Sequence, residues 1–330
     1  MGSREEMQSL VTAYRLSAAV AVAADLGIAD ALAEGPRSVA DLSVDVPADP
    51  DGLRRLLRAL TAVGVCRETD GLYALTEMGR WLRTDVTGSL RPLAQTLVDP
   101  AVWAAWGHLG HSVRTGDTAF EALHGIDVWT HRERHPAQNA VFNANMASLS
   151  ARVADSVAAT YDFSGFASVV DVGGGLGVLL EAVLARNEHL TGTVFDQAHV
   201  VGQAPPSGGE SLGLRWSAQS GDFFGAVPAG DCMLLKSILH DWPDARCVQI
   251  LHACRRSLNL GGVILVIERV LGRPGHEVGT TMSDLNMLVL PGGRERSEQE
   301  YAALAASAGL RLRRVVHTSS PMSIIEVVPV

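Results

Sequence analysis

Short apolar segments alternate with helical patterns through the C-terminal half of the chain, and this alternation constrains the fold more than any other feature. The strand candidates are SVVDV (168–172), LTGTVFD (190–196), DCMLLKSIL (231–239) and GGVILVIERV (261–270). Apolar strands that alternate with helices are typical of a parallel sheet covered on both faces. The last two segments, LRLRRVVHT (310–318) and MSIIEVVPV (322–330), are joined by a short turn and predict a final antiparallel pair. The sequence therefore predicts an α/β domain.

A glycine-rich turn follows the first strand candidate, within VVDVGGGLGVLLEAVLARN (169–187). A strand that leads through glycines into a helix presents backbone N–H groups and the positive end of the helix dipole to a ligand. A dinucleotide-binding turn needs G-x-G-x-x-G, but Val178 occupies the position of the third glycine. The pattern that fits is an acid followed by G-x-G-x-G, formed by Asp171, Gly173, Gly175 and Gly177.

Two further acids follow later strand candidates, Asp196 in TVFDQ and Asp222 in SGDFF. A carboxylate at the end of the second strand can accept hydrogen bonds from both ribose hydroxyls, in NAD and in S-adenosylmethionine alike. Three carboxylates at successive strand ends would repel a pyrophosphate, whereas they suit a cofactor that carries a sulfonium and an amine. The charge pattern therefore favours S-adenosylmethionine.

The N-terminal region, from about residue 10 to 85, predicts a helix, a short helix, a longer helix, a hairpin and a further helix. Ser38 can cap VADLS, Pro50 can open DGLRRLLRALTAVG, and Thr76 can cap EMGRWL. The alternation in RETDGLYALT, on either side of Asp70 and Gly71, predicts the hairpin. This order of elements is winged-helix-like.

A winged-helix-like order raises the hypothesis of a DNA-binding regulator that senses a metabolite, because Arg54, Arg55 and Arg58 lie on or near the candidate recognition helix. The net charge of -9 opposes this hypothesis, since an acidic chain is repelled by nucleic acid unless it carries a strong basic patch. The competing interpretation is a charged, solvated helix face whose apolar side packs in the fold or in a subunit interface.

Residues 90 to 160 are helical in pattern and rich in large apolar residues, among them Trp103, Trp106, Phe120, Trp129, Phe142 and Met146. Such side chains pack in cores, and they also grip flat apolar ligands. In HRERH, His131 and His135 are predicted to lie four residues apart on one helix face. A metal needs a third ligand, and the segment lacks the glutamate spacing of HExxH, so surface histidines and no metal are expected.

Other features concern the cellular compartment. LSAAVAVAADLG (16–27) is similar to a secretory signal, but Glu5 and Glu6 precede it where a signal needs positive charge. No run of about 18 uncharged apolar residues occurs, so no membrane span is predicted. The stretch GQAPPSGGESLG (202–213) predicts a loop. Four cysteines form no CxxC pair and are expected to be reduced, packed thiols of a cytoplasmic protein, namely Cys66, Cys232, Cys247 and Cys254.

Six motifs occur in a familiar order: DVGGGLG, VFDQAHVV, GDFF, LLKSILHDWPDARCVQIL, VILVIERV and PGGRERS. Together they resemble the small-molecule O-methyltransferases of the plant caffeate and hydroxyindole type, especially the actinobacterial relatives that methylate aromatic natural products. The resemblance covers nearly the whole chain, and LHDW followed by GGRER is much more specific than the glycine turn.

This resemblance implies a Rossmann-like methyltransferase domain of seven strands, the last antiparallel, after a winged-helix-like dimerisation domain. The implied segments are 1–90 for dimerisation, 91–160 for a helical linker that lines the substrate site, and 161–330 for the methyltransferase domain. The implied assembly is a homodimer.

The resemblance also implies the site residues. It implies cofactor contacts at Gly173, Asp196, Asp222, Phe223 and Lys236. The glycine pattern and SGDFF add the neighbouring residues Asp171, Gly175 and Gly221 to the predicted cofactor contacts. It implies that His240 is the general base, flanked and oriented by Glu268 and Glu295. The predicted acceptor contacts are Trp103, Phe142, Asn143, Met146, Asp241, Asn286 and Met287. Trp242 is expected either to wall the cofactor pocket or to pack at a helix start.

The chemistry of these residue types fits methyl transfer to a phenol. A phenol, with a pKa of about 10, is a poor nucleophile when neutral, and a histidine with a pKa near 6.5 can take its proton. A carboxylate on one ring nitrogen would hold the tautomer that leaves the other nitrogen free. The competing interpretation of His240 is a histidine at a strand end that caps the following helix beside Asp241.

The predicted function is therefore S-adenosylmethionine-dependent methyl transfer to an aromatic hydroxyl of a small secondary metabolite, such as a polyketide-derived aromatic of antibiotic biosynthesis. The alternatives are the DNA-binding regulator, an NAD-dependent oxidoreductase, and a relative of the same fold with diverged chemistry. The oxidoreductase is disfavoured by Val178 and by the lack of a Tyr-x-x-x-Lys pair.

Overall fold

The structure is a computed structural model that describes residues 2–203 and 212–330. Most of the predicted loop 202–213 lies outside the described residues. The chain divides into two compact units, one of Met1–Trp103 and His135–Ser148 and the other of Ala104–Arg134 and Leu149–Val330.

The helices and strands follow in chain order. The helices are α1 (Arg4–Thr12), α2 (Tyr14–Asp25), α3 (Ile28–Ala31), α4 (Val39–Asp45), α5 (Pro50–Ala62), α6 (Arg91–Leu97), α7 (Pro100–Gly107), α8 (Leu109–Thr115), α9 (Ala119–His124), α10 (Val128–Arg134), α11 (Pro136–Thr160), α12 (Val178–Arg186), α13 (Ala198–Val201), α14 (Asp244–Ser257), α15 (Glu277–Val289) and α16 (Glu298–Ser307). The strands are β1 (Arg37–Ser38), β2 (Cys66–Thr69), β3 (Leu72–Leu75), β4 (Ser168–Val172), β5 (Thr191–Asp196), β6 (Trp216–Ser220), β7 (Gly230–Lys236), β8 (Leu258–Glu268), β9 (Leu310–His317) and β10 (Ser323–Pro329).

Local sequence explains the elements of the first unit. Ser38 and Asp41 form a capping box at the start of α4, and Pro50 occupies the first turn of α5. Asp70 and Gly71 both take positive φ, at 51° and 77°, and connect β2 to β3 in the predicted hairpin. The strand order of the small sheet is β1-β3-β2.

Helix α5 is amphipathic and separates apolar from charged residues. Its apolar side lies in the core of the first unit and buries Leu53, Leu57 and Leu60. Arg55 is exposed and Arg54 partly exposed, and they pair with Asp51 at 2.8 and 3.3 Å. Two of the three arginines that raised the DNA-binding hypothesis thus share one acidic partner on the charged side of the helix.

Two helix predictions need correction. The segment EMGRWL forms a 3-10 turn over Gly79–Leu82, in which Thr76 Oγ1 accepts a hydrogen bond from Gly79 N at 3.1 Å. The prediction that His131 and His135 share one helix face is wrong, because α10 ends at Arg134 and α11 begins at Pro136. The cause is Pro136, since a proline disfavours helical backbone at the residue before it.

The second unit is built on a seven-stranded sheet with the order β6-β5-β4-β7-β8-β10-β9. Strands β6, β5, β4, β7 and β8 pair in parallel, while β10 pairs antiparallel with both β8 and β9. The last strand of the chain is therefore inserted beside β8. This arrangement confirms the predicted α/β sheet with an antiparallel last strand.

Apolar residues cover both faces of this sheet. Along β7, Cys232 and Leu234 belong to one core cluster, whereas Met233 and Leu235 belong to the other. Neighbouring side chains of a strand point to opposite faces, so an uninterrupted apolar run is what a sheet buried on both sides requires. All four cysteines are buried and free, as predicted.

Strand β7 is shorter than the sequence indicates. It ends at Lys236, and Ser237 takes a positive φ of 55°. A 3-10 turn over Leu239–Asp241 follows, so His240 lies in a turn beyond the strand.

No helix within the described residues is long and apolar enough to cross a membrane.

Candidate active site

The glycine turn after β4 is tied to the end of the neighbouring strand β5. Gly173 N donates to the carbonyl oxygen of Phe195 at 2.7 Å, and Gly175 N donates to Asp196 Oδ2 at 2.8 Å. Helix α12 begins directly after Gly177. The first turn of a helix and a bare backbone thus lie at the carboxyl edge of the sheet, where α/β proteins bind ligands.

Glycine is required in this turn for two different reasons. Gly173 has a φ of 69°, and a Cβ there would overlap Cδ1 of Ile238. Gly175 has a φ of 59°, but a Cβ there would meet no atom within 4 Å. The turn is therefore packed on its inner side at Gly173 and open at Gly175, which fits a cradle for the cofactor.

The two acids next to the turn differ in burial. Asp171 is only 1% exposed, and burial raises the pKa of its carboxyl to about 7 although Lys236 acts in the opposite direction. Asp196 accepts backbone hydrogen bonds on both oxygens, from Gln197 N at 2.7 Å and from Gly175 N. Burial raises the pKa of Asp196, and these two donors oppose that effect. Asp196 therefore fastens the turn through Gly175, whereas Asp171 is buried against it, where a Cβ at Gly174 would overlap the carboxyl group.

The segment after β6 brings aromatic rings to the same edge. Asp222 is exposed and accepts a hydrogen bond from Phe224 N at 2.9 Å. Phe223 contacts Phe224 and Trp242 edge to face, with ring centroids 4.8 and 6.3 Å apart. A Cβ at Gly221 would overlap the ring of Phe195. Trp242 thus packs against Phe223, the one aromatic residue predicted to contact the cofactor.

Lys236 lies between the glycine turn and the next group of acids. It is the last residue of β7, and it is the only lysine in the chain. Burial lowers the pKa of its ammonium group, while Asp171, Glu268 and Asp241 act to raise it. All other basic residues are arginine or histidine, so residue type alone singles out this position. This signal was available in the sequence and was not part of the prediction.

His240 lies among three carboxylates. Its side chain is 12% exposed, and its Nδ1 atom is 3.0 Å from Glu295 Oε1 and 3.3 Å from Glu268 Oε2. Its Nε2 atom is 3.6 Å from Asp241 Oδ1, beyond hydrogen-bond distance. The two glutamates therefore engage one ring nitrogen and leave the other for a different partner.

The charges in this group shift one another's pKa values. Burial alone would lower the pKa of His240, but Glu268, Asp241 and Glu295 outweigh it and raise the pKa to about 10. Burial raises the pKa of Glu268 to about 7 and that of Asp241 to about 6, and His240 opposes both shifts. The carboxylates thus make His240 a much stronger base than an ordinary histidine.

Both glutamates have further partners that hold them in place. Glu268 Oε1 accepts hydrogen bonds from Ile238 N at 2.9 Å and His240 N at 3.3 Å. Glu295 Oε1 accepts from Ser283 Oγ at 2.7 Å, and Glu295 N donates to Asp284 Oδ1 at 2.8 Å. Ser283 and Asp284 are not among the predicted site residues, and no motif marks them, because their partner lies on a loop that follows their helix.

The same group has the spacing of a set of metal ligands. Within the part of the chain that the structure describes, His240, Glu268 and Glu295 are the one set of three such residues whose ligand atoms lie within 4.8 Å of one another. Ion pairing between a protonated imidazole and two carboxylates accounts for this spacing without a metal.

The predicted acceptor residues divide between the two units. Asp241, Asn286 and Met287 belong to the second unit, in which Asn286 Oδ1 accepts a hydrogen bond from Trp106 Nε1 at 3.1 Å. Met287 is buried and shares α15 with Ser283. The other four belong to the first unit, on α7 and α11, and their contact with an acceptor stays a prediction: Trp103, Phe142, Asn143 and Met146.

Comparison with known families identifies the class of protein. The model of the O-methyltransferase domain matches residues 106–311, and that of the O-methyltransferase dimerisation domain matches residues 8–85. The chain therefore belongs to the S-adenosylmethionine-dependent O-methyltransferases. The predicted family, fold class, enzyme class and cofactor are confirmed.

Individual relatives cover nearly the whole chain. The phenazine O-methyltransferase PhzM of Lysobacter antibioticus is 38% identical over 97% of this chain and 95% of its own length. The crystal structure of LaPhzM matches with a TM-score of 0.96 at 37% identity and covers 100% of both chains. NcsB1, an O-methyltransferase from neocarzinostatin biosynthesis, was crystallised with S-adenosyl-L-homocysteine and 1,4-dihydroxy-2-naphthoic acid. Its structure has a TM-score of 0.80 at 36% identity and covers 96% of both chains.

Proposed function

We propose that this enzyme transfers a methyl group from S-adenosylmethionine to an aromatic hydroxyl of a small secondary metabolite, such as a polyketide-derived aromatic. The observation that carries the proposal is His240, whose Nδ1 atom is engaged by Glu295 and Glu268 while Nε2 is not. The names of the relatives support an aromatic acceptor, since one is a phenazine O-methyltransferase and another was crystallised with a dihydroxynaphthoic acid.

The residues at the glycine turn fit the proposed cofactor. The bare backbone at Gly175 leaves space for a ligand, and Asp196 keeps lone pairs that can accept ribose hydroxyls beside its two backbone donors. We assign the other predicted contacts to the same ligand on the strength of the resemblance: Asp171, Gly173, Gly221, Asp222, Phe223 and Lys236. When bound, S-adenosylmethionine supplies an electrophilic methyl group.

The proposed role of His240 is to take the proton of the acceptor hydroxyl at Nε2. Glu295 and Glu268 hold the Nδ1–H tautomer, so that Nε2 carries the lone pair in the neutral ring. The same carboxylates stabilise the imidazolium that forms. A base whose pKa has been raised to about 10 matches a phenol, whose pKa is also about 10, so the proton transfer is close to thermoneutral.

The acceptor would be held by helices that carry large apolar side chains. Asp241 is adjacent to the base, and Met287 is buried on α15. We propose the acceptor set as predicted from the sequence, together with the division into segments 1–90, 91–160 and 161–330. In this proposal, the linker 91–160 sets the shape of the acceptor pocket.

Methyl-labelled S-adenosylmethionine tests the proposal directly. We expect transfer of label to at least one member of a panel of hydroxynaphthoic and hydroxyphenazine acids, and no transfer to the same ring when that hydroxyl is already methylated. S-adenosylhomocysteine should bind in calorimetric titration. Failure to bind it at millimolar concentration, or transfer to amines but never to hydroxyls, would contradict the proposal.

We also propose that the enzyme is a homodimer joined through its N-terminal region. Helix α1 buries none of its residues, and Met7, Leu10 and Val11 are each at least 60% exposed. An exposed apolar surface of this kind marks an interface, and it overlaps the dimerisation match to residues 8–85.

Light scattering after gel filtration checks the dimer. The wild type should have twice the mass of one chain, and Leu10→Glu combined with Val11→Glu should yield monomers. Leu260→Glu, at a fully exposed apolar position in the second unit, is the matched control and should remain dimeric. A wild-type monomer at micromolar concentration would rule the dimer out.

A further inference from the structure

Arg296 is buried beneath the turn that carries His240, and nothing in the reaction proposed above uses it. It is 1% exposed and is the largest of the fully buried side chains. A buried guanidinium is unfavourable unless its hydrogen bonds and its charge are satisfied. The groups that the guanidinium contacts must therefore explain why Arg296 is buried.

All five N–H groups of Arg296 have an acceptor. Nη1 donates to the carbonyl oxygens of Leu239 at 2.9 Å and of Arg294 at 3.2 Å. Nη2 donates to the carbonyl oxygen of Trp242 at 2.9 Å and to Asp244 Oδ1 at 2.7 Å, and Nε donates to the same carboxylate oxygen at 3.0 Å. Two of these acceptors are the backbone carbonyls on either side of His240 and Asp241.

The residues before Arg296 contact the same turn. Arg294 N donates to the carbonyl oxygen of His240 at 2.8 Å, and Glu295 reaches the Nδ1 atom of His240. A Cβ at Gly293 would overlap the carbonyl oxygen of His240, so backbone packs directly on backbone at this point. The segment 293–296 thus contacts both the main chain of the turn and the ring of His240.

The turn itself needs this support. It begins after Ser237, which is not glycine yet has a φ of 55°, and such a residue persists only where its surroundings hold it. The N–H groups of Ile238 and His240 are held by Glu268, and the carbonyl oxygens of Leu239 and Trp242 are held by Arg296. A buried acid therefore fixes one side of the turn, and a buried base fixes the other.

We propose that Arg296 is a positioning residue for His240, which keeps the Nδ1 atom of the imidazole on Glu295 and so maintains the basicity and the direction of Nε2. This inference rests on the proposed role of His240. Lysine cannot replace arginine here, because an ammonium group has three donors on one atom and cannot make the five hydrogen bonds that the guanidinium makes.

Arg296→Lys tests the inference. We expect kcat to fall roughly 10-fold to 100-fold, the cost of misplacing a catalytic group by about 1 Å, with little change in the affinity for S-adenosylhomocysteine. The inflection of the pH profile of kcat should move to lower pH, because the carboxylate contact that raises the pKa of His240 is weakened. The matched control is Arg273→Lys, since Arg273 also donates to three carbonyls, those of Thr318, Ser320 and Met322, none of which belongs to the His240 turn. It should lower thermal stability and leave the pH profile unchanged.

A double-mutant cycle separates this inference from the function on which it rests. His240→Ala alone reports on the general base, and near wild-type turnover in that variant would defeat the proposed mechanism. If Arg296 acts through His240, adding Arg296→Lys to His240→Ala should cause less than about a twofold further loss. Additive losses, or an unshifted pH profile in folded Arg296→Lys, would overturn the positioning role.

If Arg296→Lys does not fold, Asp244→Asn replaces it. Asp244 is largely exposed and holds the guanidinium through Nε and Nη2, so its loss should shift the pH profile in the same direction by a smaller amount. A wild-type profile and wild-type kcat in folded Asp244→Asn would then overturn the inference.

Discussion

Two turns lie at the same edge of the sheet and are held in different ways. The glycine turn 173–177 follows β4, and the His240 turn 238–242 follows the neighbouring strand β7. The first is fixed by backbone hydrogen bonds to the end of β5 and by one carboxylate, Asp196. The second is fixed by buried charged side chains, Glu268 and Arg296, which lie 28 to 57 residues away from the groups they hold.

This difference in how the turns are held corresponds to two roles in the proposed reaction. The glycine turn binds the cofactor, and the His240 turn removes the proton. A turn made of backbone and small residues offers N–H groups and space, which suit a bound cofactor. A turn fixed by buried charges sets the pKa and direction of one side chain, which suits acid–base work. If this comparison is right, damage to one turn should leave the function of the other largely intact.

The largest expected effect comes from His240→Ala. Removal of the proposed base should lower kcat by at least about 100-fold, the usual scale of general-base contributions. The affinity for S-adenosylhomocysteine, measured by calorimetry, should change little because the glycine turn is untouched. A joint loss of affinity and turnover would mean that the two turns do not act separately.

Alanine substitutions in the glycine turn should lower the affinity for S-adenosylhomocysteine and leave His240 in place. The loss of affinity should differ between Gly173 and Gly175. Gly173→Ala combines positive φ with an overlap with Ile238, so the affinity for S-adenosylhomocysteine should fall by more than about tenfold, since such strain costs on the order of 1–3 kcal/mol. Gly175→Ala has positive φ but open space, and its loss should be smaller. Equal losses for the two variants would show that packing at Gly173 is unimportant.

These two turns also differ in how far the sequence predicts them. The glycine pattern predicts its own turn, because positive φ and the strand-to-helix connection are local properties. The alternating apolar segments likewise predict the sheet, including its antiparallel end. His240, by contrast, depends on contacts with residues 28 and 55 positions away in the sequence, and only the family resemblance brought Glu268 and Glu295 into consideration.

Several features of the site and of the fold could not be predicted from the sequence. Ser283 and Asp284 belong to none of the six motifs, and Arg296 lies within GGRER but its residue type indicates no catalytic role; the importance of all three arises from where the fold places them. The error at HRERH arose because helical periodicity was followed through His135 although Pro136 comes next. The end of β7 at Lys236 was missed because positive φ at a serine has no sequence signature.

The smallest expected effect is that of metal removal. His240, Glu268 and Glu295 are spaced as metal ligands, but ion pairing with the imidazole already accounts for their positions. Dialysis against EDTA should therefore leave kcat within about twofold of the untreated enzyme, where loss of a true metal-activated step would cost several kcal/mol. A loss that added zinc or magnesium restored would replace the general-base account with a metal site.

The pH dependence of kcat tests the central claim most directly, because the claim concerns which form of His240 is active. The carboxylates raise the pKa of His240, so the ring is protonated and inactive as a base at lower pH, and kcat should rise as pH increases towards that pKa. Glu295→Gln removes one carboxylate, which lowers the pKa and should move the inflection to lower pH. His240→Ala should leave only a residual rate, at least about 100-fold lower, that follows ionisation of the acceptor phenol itself. A profile that is flat in the wild type, or unchanged in Glu295→Gln, would contradict the account.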